Sequence, residues 1–423
     1  MSSRPPFVRR YILFLLIYAA AVGLYLWYES GHAVPPSVQG TEADPAVFLT
    51  PEQLQQSKTY SAMGNWLYFV SYPWEWGIYL IMLFCGYARG WQRRLEGTRL
   101  PKAVQFAVYL LWLQLTVFVA FLPLRITGYA LSRHYGISTQ TIPSWLRDKA
   151  VSFGINYLTI LAGAAVAFWL LRRGGRWWLK LWLISVPFTL FLMYIQPVVI
   201  DPLYNQFSRL SDPQLEQRIL ALASQAHIPA DRVYEVNMSQ KTNSINAYVN
   251  GIGGSLRIVL WDTTLKKMTE QEILLIMAHE MGHYVMHHLE WSAAGAVASS
   301  FVLFWLGSRI LPWSVRRWGD AAGIRRLHDL SVLPLIMLLL SLLSFAASPI
   351  ENAVSRQAEH AADVYGLKLI GSTAGAVTMY QKLASSSLGE VNPPPLVRFF
   401  TSSHPSIMER ILYVESVQAG RQP

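Results

Sequence analysis

The chain reads as a mainly α, polytopic membrane protein with about seven transmembrane helices and a metalloprotease segment that includes a small β element. Three observations predict this. At 423 residues the chain is 52% hydrophobic and only 14% charged, too apolar for a soluble protein of that size. It contains windows of about 18 to 24 mostly apolar residues, each long enough to cross the hydrocarbon layer as a helix. The string His279-Glu280-Met281-Gly282-His283 places two imidazoles and a carboxylate on neighbouring turns of one helix, a zinc protease signature.

The windows fall at roughly 9–28, 65–88, 103–124, 151–171, 177–197, 291–311 and 329–348. The first follows Arg9 and Arg10 as a secretory leader would, but its apolar run from Tyr11 to Tyr28 is longer than a leader's core. Trp27 and Tyr28 supply an interfacial anchor, so a retained helix is expected. Pro73 and Glu75 interrupt the second window, and a tight basic turn from Arg172 to Arg176 divides the fourth from the fifth. The organisation that follows is a five-helix membrane region over 1–200, a metalloprotease segment over 201–290, a membrane hairpin over 291–348 and a C-terminal segment over 349–423.

The segment 201–290 opens with a helix that Asp212 and Pro213 start and that extends to Gln225. Strands are expected at Arg232 to Val236, Asn246 to Val249 and Leu256 to Trp261, with Gly251, Gly253 and Gly254 turning the chain between the last two. Thr269 and Glu272 form a capping-box pattern ahead of the apolar Ile273, Leu274, Ile276 and Met277, so the His-Glu-x-x-His string lies well inside its helix. His279 and His283 then share a face and converge on one zinc ion, while Glu280 is placed to take a proton from a bound water. In the C-terminal segment, Ser348, Pro349 and Glu351 read as another capped helix start. On that helix Glu359 and Asp363 lie one turn apart, an arrangement that allows Glu359 to be the third zinc ligand and Asp363 to fix a ligand histidine's tautomer. Taken alone, an amphipathic helix whose carboxylates face water, paired with Arg356 or Lys368, accounts for them better.

His279-Glu280-x-x-His283, the run from Glu351-Asn352 through Ser355-Arg356-Gln357 and Glu359 to Asp363, and Ser403-His404-Pro405-Ser406 with Arg410 together resemble the type I CAAX prenyl endopeptidases. These are integral-membrane zinc metalloproteases of the gluzincin type. Asn243-Ser244-Ile245-Asn246-Ala247-Tyr248 resembles their substrate-side strand. The resemblance implies one zinc per chain on His279, His283 and Glu359, with Glu280 as general base and Asp363 behind His279. It also implies that His404 binds the oxyanion, that Asn246 contacts the substrate backbone, and that Arg356 and Arg410 hold the carboxylates of the ligand helix. His287 and His288 are expected behind the ligands or at the membrane interface. Peptide or protein substrates, prenylated CAAX peptides among them, are the partners implied, together with membrane lipids. A chamber enclosed by the seven helices is implied as well, and would account for Gln114, Thr116, Asn156 and Gln196 within the spans; hydrogen bonding between helices accounts for them as well.

Lys and Arg concentrate in alternate loops: Arg4, Arg9 and Arg10, then Arg89 to Lys102, Arg172 to Lys180 and Arg316 to Arg326. This asymmetry places the N-terminus in the cytoplasm and the metal segments on the other side. The familiar eukaryotic members carry the metal on the cytosolic side, so either the intruding soluble segments mislead the charge count or this is a bacterial relative, in an inner membrane, with a different orientation. The net charge of +10 suits anionic headgroups and excludes no membrane role, whereas no soluble segment interleaves basic and aromatic residues as nucleic-acid binding requires. The single cysteine, Cys85, excludes an intramolecular disulfide and a thiolate zinc site. Two other readings stay open: a quality-control protease for membrane proteins, and a non-catalytic lipid or peptide binder that zinc merely staples.

Overall fold

A computed structural model describes residues 5–251 and 256–420. Arg4 of the first basic cluster and Gly253 and Gly254 of the expected turn lie outside the described residues. The membrane region begins with α1 (Pro5–Ser30), the short α2 (Pro45–Phe48), α3 (Pro51–Phe84) and α4 (Tyr87–Glu96). It continues with α5 (Lys102–Ala120), α6 (Leu122–His134), α7 (Ile142–Arg173) and α8 (Trp177–Ile195). Six helices of the described residues are long and apolar enough to cross a membrane; α3, at 34 residues, is long enough but not apolar enough to join them. It holds the expected second window as far as Phe84, with Pro73 inside it, and the end of that window passes through Gly86 into α4. The tyrosines of α1 support that interruption: Tyr11 donates to the Pro73 carbonyl at 2.5 Å and Tyr18 to that of Phe69, the residue one turn before Pro73, at 3.4 Å. The third window is broken at Phe121, where α5 gives way to α6.

Next come α9 (Asp201–Tyr204), β1 (Phe207–Arg209), α10 (Pro213–Gln225), β2 (Val233–Val236), β3 (Ala247–Asn250) and β4 (Arg257–Trp261). Asp212 caps α10 by accepting from the Gln214 and Leu215 amides. The sheet order is β1-β2-β4-β3, with β2 and β4 parallel and both outer pairs antiparallel. Strand β1 was not expected, and three residues are too few to carry an alternation pattern. The short α11 (Asp262–Lys267) leads into α12 (Glu270–Val285), where the capping box of Thr269 and Glu272 is formed. Glu272 also holds Thr378 at 2.8 Å and Lys382 at 2.7 Å, tying this cap to the C-terminal region.

The chain returns to the membrane as α13 (His288–Ala322) and α14 (Leu333–Ile370), then closes with α15 (Ala376–Ser387), α16 (Pro395–Thr401) and α17 (Ile407–Gln418). The expected helix start at Ser348 is corrected: α14 runs through Pro349 without a break. Proline leaves the carbonyl four residues before it without an amide partner, and here that carbonyl, on Phe345, accepts from the Ser348 hydroxyl at 2.9 Å. Two cores result. One joins α10, α12, the sheet and α15 with α17 through side chains such as Ile219, Leu260, Met277 and Ile411; the other joins membrane helices through Leu83, Tyr109, Leu113 and Leu333.

Helices α12 and α14 cross where glycine permits contact of their backbones. A Cβ at Gly366 would lie 2.9 Å from the His279 nitrogen, and one at Gly282 would lie 3.3 Å from the Ala362 Cα. This close crossing brings the far end of a membrane helix against the His-Glu-x-x-His helix.

Candidate active site

His279 and His283 lie one turn apart on α12, and Glu359 reaches them from α14. One ligand atom from each falls within 4.8 Å of the others. The two Nε2 atoms are 3.1 Å apart; Glu359 Oε2 lies 3.3 Å from the first and Oε1 3.4 Å from the second. Ligands about 2.0 Å from a tetrahedral zinc are separated by about 3.3 Å, so the three residues fit a divalent metal. A further observation agrees: Glu359 Oε2 is buried without a hydrogen-bond partner. Burial disfavours charge on His279, yet the Asp363 and Glu359 carboxylates more than offset it, raising its pKa to about 9. The same negative field favours a cation where the ring nitrogens converge.

The ring orientation of His279 is fixed from behind. Its Nδ1 lies 2.8 Å from Asp363 Oδ1, and Asp363 is held by Arg410 through Nε at 2.9 Å and by the Tyr380 hydroxyl at 2.9 Å. Arg410 itself is buried and lies over the Tyr380 ring at 4.4 Å. Tyr380 was not anticipated: it sits on α15, and no spacing in the chain marks a hydroxyl that meets a carboxylate on another helix. His283 has a different support, since its Nδ1 lies 2.9 Å from Nδ1 of His288. His287 instead faces Glu290 at the surface. Arg356 holds no carboxylate of the ligand helix among the described residues; it donates to the carbonyls of Arg398 at 3.1 Å and Ser402 at 2.7 Å.

These groups open onto a cleft of about 490 Å³ lined by Asn246, His279, Glu280, His404 and Arg410. Glu280 stands 3.9 Å from His279 Nε2, and burial pushes its carboxyl up against the opposing pull of the histidines. His404, on the loop between α16 and α17, brings Nε2 to 3.3 Å from Glu359 Oε1, and its Nδ1 meets Ser403 Oγ at 2.8 Å. Asn246 is exposed on the wall of the same cleft, where its backbone is pinned to Thr264 by bonds of 3.1 and 2.6 Å. Of the site residues named from sequence, Asn246, His279, Glu280 and His404 line this cleft, while His283 and Glu359 meet His279 beside it and Asp363 lies buried behind.

The sequence pattern of peptidase family M48 matches residues 209–418, and that of the CAAX prenyl protease N-terminal region, five membrane helices, matches residues 26–206. An uncharacterized metalloprotease, YhfN, of Bacillus subtilis is 45% identical over 92% of both chains. A CAAX prenyl protease 1 homolog of Arabidopsis thaliana is 27% identical over 87% of this chain and 88% of its own length. The crystal structure of S. mikatae Ste24p superposes with a TM-score of 0.81 at 21% identity, covering 96% of this chain and 98% of that one, and so shares the fold.

Proposed function

From the premise that this chain belongs to peptidase family M48, as an integral-membrane metalloprotease of the CAAX prenyl protease type, we propose a zinc-dependent endopeptidase that cuts extended peptides, including prenylated CAAX-type C-termini. The observation that carries the reading is the cluster of His279, His283 and Glu359 with Glu280 beside it on the cleft side. Zinc, when bound, supplies a water acidic enough to ionise near neutral pH. Glu280 takes that proton and later gives it to the leaving amine, and its desolvated carboxyl, pushed up in pKa, suits both steps. Ser403 Oγ is in hydrogen-bond reach of His404 Nδ1; in the tautomer where the hydroxyl donates, Nε2 carries the hydrogen that stabilises the oxyanion. Asn246 meets the substrate backbone from the cleft wall. Asp363 keeps Nδ1 of His279 protonated so that Nε2 offers its lone pair to the metal.

Basic residues at the end of the bundle away from the cleft support an inner-membrane orientation with a cytoplasmic N-terminus and the cleft on the other side. Wild type and Glu280→Gln, assayed for metal and for cleavage of a farnesylated CAAX peptide and its unmodified twin, test the reading. Both proteins should hold one zinc per chain, and the variant should lose at least about a thousandfold in kcat. Full activity in Glu280→Gln, or no zinc in either protein, would contradict the mechanism. Equal rates on the two peptides would remove the prenyl group from the substrate definition.

A further inference from the structure

A cavity of about 650 Å³ lies within the membrane bundle, walled by α3, α5, α6, α7 and α14. Its charges do not balance. Arg125 of α6 and Lys149 of α7 both line it, and the guanidinium charge opposes the ammonium of Lys149. The carboxylate in the wall, Glu75, is engaged elsewhere, by Tyr79 at 3.1 Å and Ser341 at 2.7 Å. Asp148, next to Lys149 in the chain, attracts its ammonium from a distance but directs Oδ2 to Lys241 at 2.6 Å and Gln140 at 2.7 Å. Among the described residues neither cation has a side-chain hydrogen bond or ion pair; Arg125 rests 4.6 Å from the Phe118 ring centre and Lys149 5.7 Å from that of Trp145. Two like charges on the wall of one cavity repel each other, and an anion between them would relieve that repulsion.

We propose that Arg125 and Lys149 form an anion site that receives the free C-terminal carboxylate of the peptide being cut. This rests on the proteolytic reading above. The cavity adjoins the cleft across an aromatic partition: Tyr72 lines the cavity and packs on Phe345 at 4.4 Å, Phe345 stacks on Phe400 at 4.8 Å, and the next residue, Thr401, lines the cleft. The bearing helix α7 is also fastened to the catalytic region, by Asp148 with Lys241 and by Ser152 with Tyr204 at 2.9 Å. Gln114, Ser152, Asn156 and Ser344 line the same cavity, and their hydrogen-bonding groups suit peptide amides better than acyl chains. A guanidinium presents two parallel N–H donors to a carboxylate, and the ammonium adds a point charge.

The test compares the farnesylated CAAX peptide as free acid and as C-terminal amide, with wild type and the Arg125→Gln/Lys149→Gln double variant. Wild type should favour the acid by about tenfold in kcat/KM, expressed in KM. The double variant should lose that preference and still turn over the amide as wild type does. Binding of both peptides to Glu280→Gln reads the preference independently of turnover, so a failure of the proteolytic reading is told apart from a failure of the anion site. Equal binding of acid and amide by a protein with both cations, or a preference that survives in the double variant, overturns the proposal. So does selective loss of phosphatidylglycerol binding in the double variant without any acid preference in wild type, which would assign the cations to a lipid headgroup.

Discussion

Asp363 shows how much of the metal chemistry rests on a residue that never touches the metal. Its carboxylate accepts from His279, Arg410 and Tyr380 together, and it is almost wholly buried. Asp363→Asn presents an amide of the same shape that no longer demands a proton on His279 Nδ1, and it leaves the Arg410 guanidinium without its counter-charge. Zinc affinity should fall about 10- to 100-fold, measured by competition with a chromophoric chelator, and an unchanged affinity would mean that the His279 tautomer is set elsewhere. The His279 and His283 pair was readable from sequence because a helix converts a spacing of four into a shared face. Glu359 and Asp363 lie on a distant helix, so only the family motif singled them out from carboxylates that would suit a wet helix face equally well. Tyr380 could not be read at all, since its role arises from how α15 lies against α14.

The capped helices were legible in detail. Asp212 before Pro213, and Thr269 before Glu272, fixed the starts of α10 and α12 by satisfying amides that would otherwise lack partners. The Ser348-Pro349 start failed because the same residues serve a continuing helix, the hydroxyl bonding the carbonyl that proline cannot. Nor did any pattern disclose the crossing of α12 and α14, which depends on the missing side chains of Gly282 and Gly366. Gly366→Ala should force the helices apart near His279 at a cost of about 1–3 kcal/mol. The expected readout is a lower Tm together with reduced zinc occupancy; a variant that keeps both would show that the crossing has slack.

At the scale of the whole molecule, basic loops gather at one end of the bundle and the catalytic core at the other. Gln92 of α4 accepts from the Ser331 amide at 2.9 Å at the first end, while Ser57 and Ser61 of α3 donate to the carbonyls of Gly389 and Leu388 at the second. Between them runs α14, 38 residues in one helix and therefore about 57 Å long, with Leu333 among membrane side chains and Glu359 beside two histidines. A helix that continues unbroken through Pro349 carries tilt at one end into displacement at the other. Lipids with shorter or longer chains change the tilt that a spanning helix adopts, at a fraction of a kcal/mol per ångström of mismatch. We predict a two- to fivefold fall in kcat, about the size such mismatch allows, when the protein is moved from vesicles of matched phosphatidylcholine to thinner or thicker ones. Identical rates across the chain-length series would show that the helix is decoupled from its surroundings. With coupling, the hydrolytic centre becomes a gauge of bilayer thickness, and the composition of the membrane acts as an effector of the enzyme embedded in it.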